Sequence, residues 1–207
     1  YFPMLDSNTS KTQPNTLYSE IVSSPSLYVE LLSIISSPEP KDHLFYQIST
    51  AERLLDSFNK IPSLRDDGEI DEEHLFKWLD DVRQLSEEVD LLYEADSKLG
   101  DLLSRHSKRD GKEWPEFPIC KYLETTNSDF LFNSYRMGIC NGRGVVMRAP
   151  LDGGDLERNL SHEYHIIAER LNSQFPRLAK EFKNIAEGYE HEAMRNDEEA
   201  KRRRLQR

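Results

Sequence analysis

Apolar positions recur along this chain at steps of three and four, the spacing that lines up side chains on one face of an α-helix. The clearest run is Leu75, Trp78, Leu79, Val82, Leu85, Val89, Leu92, Leu99 and Leu103. It predicts one long amphipathic helix over 72–105, with Gly100 as its weak point. Leu44, Ile48, Ala51, Leu55 and Phe58 predict a helix over 42–59. Leu156, Leu160, Tyr164, Ile167 and Leu171 predict another over 156–172. The last stripe, Leu178, Phe182, Ile185, Ala186, Tyr189 and Ala193, predicts a helix over 177–205. Past Ala193 that helix is nearly all charged and is expected to project from the body.

Breaker residues divide the rest. Residues 17–36 read as helical with an interruption at Ser24-Pro25, because proline suits the first turn of a new helix. Leu27, Leu31, Ile34 and Ile35 line its second half, and Pro38 and Pro40 end it. Ile61-Pro62 and Asp66-Asp67-Gly68 mark a turn, after which Asp71 is placed to cap a helix that begins with Glu72 and Glu73. Residues 107–114 read as a charged loop, and 115–123 and 128–140 as short helices. Asn141-Gly142-Arg143-Gly144 is a turn, and Val145-Val146-Met147-Arg148 reads as extended ahead of Pro150. Residues 1–16, rich in Ser, Thr, Asn and Pro, read as an extended arm or linker.

The expected fold is therefore all-α: an antiparallel bundle or irregular helical-repeat stack of about seven or eight helices, with at most a tiny β-hairpin near 143–149. Residues 17–207 form one domain in this reading, and 106–114 is where it would subdivide.

Composition narrows the function. Hydrophobic residues make up 37% of the 207 and charged residues 31%, and the formal net charge is −11. An acidic chain is poorly suited to phosphate backbones or anionic membranes, which need clustered Lys and Arg. No apolar run approaches membrane-spanning length. The two cysteines, Cys120 and Cys140, are too few for a disulfide framework, which points to a reducing, cytoplasmic setting. The start, Tyr1-Phe2-Pro3-Met4-Leu5-Asp6, has no signal-peptide pattern and no initiator Met, so the chain reads as a piece of a longer protein.

Candidate chemistry is sparse. Aligning Gly68 with the sixth position of a calcium loop puts Ser63, Arg65 and His74 where oxygen ligands belong, so a turn plus helix cap is the better reading. His162 and His165 are three apart rather than four, and both lie off the apolar stripe. Cys120 and Cys140 sit in no nucleophile motif. No cofactor or metal motif is present. Arg136, Arg143 and Arg148, beside the glycines at 142–144 and 153–154, could in principle counter an anion at a helix start. Asp155 and Glu157 already occupy that first turn and would repel a phosphate. A structural clasp built from Asp96, Arg136, Arg143, Arg148, Glu157 and Arg158 is the alternative. Asp96 is the most informative of these, because it lies on the apolar stripe between Leu92 and Leu99 and needs a partner. Arg136, Arg143 and Arg148 are its expected anchors. Lys201-Arg202-Arg203-Arg204 is a basic run that suits a helix C-terminus and also offers a nucleic-acid or partner contact.

From Gly68 onward the chain resembles the C-terminal helical region of a group of large, uncharacterised bacterial proteins associated with mobile elements and phage-defence islands. The matching elements are Gly68-Glu69-Ile70-Asp71 leading to Trp78, then Trp114-Pro115, then Asn141-Gly142-Arg143-Gly144-Val145 with Arg148. Gly153-Gly154-Asp155-Leu156-Glu157-Arg158 and the stretch from Ala186 to Ala193 with Tyr189-Glu190 complete them. Leu99-Gly100 is a conservative departure. The resemblance covers about two-thirds of the chain, and its most specific part is the NxRGV…GGxxER block. It implies an all-helical module at the end of a bigger chain and no reaction. The expected function is a non-catalytic interaction or scaffolding module that binds upstream domains or a protein partner. A ligand or enzymatic site around Arg143, Arg148, Glu157 and Arg158 is the alternative.

Overall fold

The structure, a computed structural model, describes residues 15–37, 42–65, 67–106, 113–144, 149 and 152–205. Among them are nine α-helices and no strand: α1 Asn15–Ser23, α2 Pro25–Ile35, α3 Asp42–Ser57, α4 Glu72–Glu88, α5 Leu92–Ser104, α6 Phe117–Thr125, α7 Asp129–Gly142, α8 Asp155–Leu171 and α9 Pro176–Leu205. The all-α expectation holds. Most of the expected arm, Val145 to Arg148 and most of the 107–114 loop lie outside the described residues. The β-type pairing that is described is an isolated bridge between Leu64 and Ile70, in the turn ahead of α4.

The long helix expected over 72–105 is two helices, and the break is not at Gly100. Asp90 takes a left-handed φ of 60°. Around it the Leu91 N–H donates to the Ser86 carbonyl at 2.8 Å and the Asp90 N–H to the Glu87 carbonyl at 3.2 Å. This crossed pair of bonds closes α4 and lets α5 leave in a new direction. Aspartate tolerates the left-handed region better than most residues. Gly100 instead sits inside α5, where a Cβ would fall 2.2 Å from the Leu131 carbonyl oxygen of α7. Its bare Cα lets the two helices cross.

The chain forms two compact units, Tyr1–Ser107 with Ser128–Gly138, and Lys108–Asn127 with Ile139–Arg207. In the first, α2 packs against α1, α3, α4 and α5. Its core holds an aromatic cluster: Tyr28 meets Trp78 edge-on at 5.4 Å, and Phe58 meets Tyr18 at 5.5 Å. Two of its polar tips are satisfied, with Trp78 Nε1 donating to the Ile21 carbonyl at 3.3 Å and the Tyr18 hydroxyl to Ser57 Oγ at 2.7 Å. Burying each such ring contributes roughly 1.5–3 kcal/mol. Asp71 caps α4 as expected, accepting the His74 N–H at 3.1 Å, and also pairs with Arg65 at 2.6 Å.

In the second unit α8 and α9 form an antiparallel helical hairpin. Tyr164 stacks on Tyr189 at 5.6 Å and on Phe182 at 6.0 Å, with Trp114 edge-on to Phe182 at 5.8 Å. Glu124 of α6 caps α9, accepting the Arg177 and Leu178 N–H groups at 3.0 Å each. Those are two of the donors that a helix start leaves without an intrahelical partner. The apolar face of α9 runs further than expected: Ala200 is buried as well as Ala193. One face of the helix is therefore covered as far as Ala200, and only the last turn, from Lys201, is exposed all round.

Candidate functional site

The residues singled out as a clasp divide between the two units. In the first unit Asp96 is 3% exposed. Its anchor is not one of the three expected arginines but Arg83 of α4, with Nε–Oδ1 at 2.7 Å and Nη2–Oδ2 at 3.4 Å. Its second oxygen also accepts the Ser128 hydroxyl. That hydroxyl in turn accepts the Leu131 N–H at 3.2 Å, so it caps α7. The chain Arg83–Asp96–Ser128–Leu131 thus ties α4, α5 and the start of α7 together. Arg136 lies half-buried further along α7, in the same unit.

Arg143, Glu157 and Arg158 come together in the second unit. Arg143 follows the end of α7. Its guanidinium bonds to Glu157 of α8, reaches Glu192 of α9 at 3.3 Å and lies 5.1 Å from the centre of the Tyr189 ring. Glu157 has no exposed surface, and its other oxygen accepts Asn196 Nδ2 at 3.1 Å. Burial raises the Tyr189 hydroxyl pKa, and the neighbouring Arg143 opposes that shift. At the next residue of α8, Arg158 pairs with Asp197 at 2.7 Å and with Asp155 at 3.0 Å. Arg158 is the first cause holding the Asp197 carboxyl below its ordinary range, and the Gly154 N–H is the second. Arg148 lies outside the described residues.

The start of α8 is closed to an anion by the same contacts. The Gly154 N–H, which would face a phosphate, donates to Asp197 at 2.7 Å. A Cβ on Gly154 would fall 2.3 Å from the Ala193 carbonyl oxygen. The backbone of α9 therefore lies directly against the α8 N-terminus. Asp197 supplies the negative charge that this helix end favours.

Other candidates are also accounted for. Burial pushes the Cys120 thiol up to about 12, so it is not a thiolate at neutral pH. It borders a cavity of about 130 Å³ with Pro115, Phe117, Arg170, Gln174 and Phe175. Arg170 is already engaged there, donating to the Trp114 carbonyl at 2.7 Å. His162 is exposed and His165 half-buried. No group of three or more His, Cys, Asp or Glu among the described residues could hold a metal. No helix among them is long and apolar enough to cross a membrane. In the basic run, Arg202 and Arg203 pair with Glu198 and Glu199 one turn back.

Sequence reasoning missed Arg83, Ser128, Glu192, Asn196 and Asp197. The last three had a usable signal: with Tyr189 and Ala193 they repeat at three and four, continuing the buried face of α9 with polar residues. No protein-family model matches the chain, and neither a curated protein nor a solved structure matches it.

Proposed function

We propose that this chain is a non-catalytic helical scaffolding and interaction module. The observation that carries the reading is the closed start of α8, where Asp197 takes the Gly154 N–H and the Ala193 backbone fills the approach. The groups that an anion or acyl substrate would need are committed to holding helices together. Arg143 and Arg158 each join α8 to α9 through carboxylates, and Asp96 joins α4, α5 and α7. The resemblance described above supports a place at the end of a longer bacterial chain of the mobile-element or phage-defence kind, with the upstream domains of that chain or a separate protein as partner. Cysteines outside any disulfide suit a cytoplasmic setting.

Thermal unfolding in the presence of nucleotides, inorganic phosphate and small carboxylic acids tests this reading. The expected result is no change in midpoint beyond that produced by an equal ionic strength of chloride. A saturable rise in midpoint that disappears in Arg143→Met would overturn it, because it would show Arg143 holding a ligand.

A further inference from the structure

We propose that the first unit binds its partner through an acid-rimmed aromatic patch formed by Tyr93 and Phe130, and that the partner presents a basic peptide segment with apolar anchors. The proposal rests on the interaction-module reading above and adds the surface and the chemistry of what covers it. Tyr93 of α5 is 57% exposed and Phe130 of α7 is 54% exposed, yet their rings touch each other edge to face at 4.5 Å. Two adjoining rings left more than half in water are a recognisable docking feature, since single scattered apolar residues are ordinary but contiguous ones are not. Val89, at the end of α4, is 50% exposed, and so is Met137, two turns along α7 from Phe130.

The rim decides the partner. Residues 86–97 carry Glu87, Glu88, Asp90, Glu94 and Asp96 and no lysine or arginine, and residues 128–134 carry Asp129 and no base. Asp96 is buried on Arg83, but Glu87, Glu88, Asp90 and Asp129 are exposed. A second copy meeting this patch face to face would set these carboxylates against one another, which disfavours self-association. A nucleic acid is disfavoured by the same charges. A segment bearing Lys or Arg around a Leu or Phe anchor satisfies both the rings and the rim, and aromatic anchors are the side chains that commonly dominate such contacts.

The test is selection from a phage-displayed library of random twelve-residue peptides on the whole chain, with counter-selection on Y93S/F130S. Selected peptides are then measured by fluorescence anisotropy. The expected outcome is enrichment of Lys- or Arg-rich sequences with apolar anchors. Their affinity should fall at least tenfold on Y93S/F130S, fall severalfold on the charge variant E87K/E88K, and weaken as salt rises. Both rings are largely exposed, so Y93S/F130S should keep the wild-type unfolding midpoint. If it does not, E87K/E88K carries the comparison alone. Three results overturn the proposal: no peptide that distinguishes wild type from the variants, enrichment of acidic or neutral sequences, or light scattering that shows a wild-type dimer abolished by Y93S/F130S. Such a failure leaves the ligand measurement on Arg143 untouched, so it counts against this surface and not against the module reading.

Discussion

Glu157 has no exposed surface and shares its two oxygens between Arg143 and Asn196. Glu157→Ala leaves Arg143 charged in a largely dry pocket with the more distant Glu192 as its remaining carboxylate. It should lower stability by about 3 kcal/mol, the usual cost of breaking one side of a buried pair. The double variant R143M/E157L should recover most of that loss, and a urea double-mutant cycle measures the difference. The pH dependence follows from Asp197 and Asp71, both held below the ordinary carboxylate range, the first mainly by Arg158 and the second mainly by Arg65. A depressed carboxyl stabilises the fold above its unfolded pKa of about 3.9, and that contribution is lost as pH falls through the folded value. The unfolding midpoint should therefore drop below about pH 4, and drop less steeply in Asp197→Asn. At this scale the need of Asp96 for an arginine was legible, because a carboxylate on an apolar stripe must be paired. Which arginine was not. Reading 72–105 as one helix puts residues 83 and 96 roughly 20 Å apart at 1.5 Å per residue, so only the turn at Asp90 makes Arg83 available.

Helix identities followed from period and punctuation, and most ends fall within two residues of their expected positions. The boundary that failed did so for a local reason. A three-residue step spans Val89 and Leu92 as if they shared a face, but Val89 is half exposed and the chain turns at Asp90. Nothing in the apolar period distinguishes an aspartate on a helix surface from one that closes a helix. Asp90→Gly should stabilise the protein by roughly 0.5–1 kcal/mol, since glycine reaches a positive φ without strain. Asp90→Val should destabilise it. Gly100 was suspected for its low helix propensity, but its role is to admit α7. Gly100→Ala should therefore destabilise by about 1–3 kcal/mol despite alanine's better propensity, because the Cβ meets backbone at 2.2 Å. Gly188→Ala, with nothing within 4 Å of the added methyl, should stabilise α9 by up to about 1 kcal/mol. Thermal melts of the two variants side by side separate propensity from packing.

The connectivity of the whole molecule was the least legible level, because helical stripes show which face is buried and not against what. The first unit is discontinuous: it takes Tyr1–Ser107 and then recovers Ser128–Gly138, most of α7, after the chain has passed through α6. That returning segment completes the first unit. Leu131 and Tyr135 are buried, Gly100 lies against the α7 backbone, Ser97 bonds to Ser134 at 3.2 Å, and Ser128 partners Asp96. A fragment ending at residue 107 keeps α1 to α5 but strips this face from α5 and removes the hydroxyl partner of a buried carboxylate. It should retain helical far-UV circular dichroism, lose near-UV signal from the Tyr28–Trp78 cluster, and bind a hydrophobic dye. A synthetic peptide of residues 128–142 added in trans should restore the near-UV signal, and the same peptide with Gly138→Leu should not, since a Cβ at that position already meets Ser104 Oγ at 1.9 Å. A 1–107 fragment that melts as cooperatively as the whole chain would show that α7 is dispensable to the first unit.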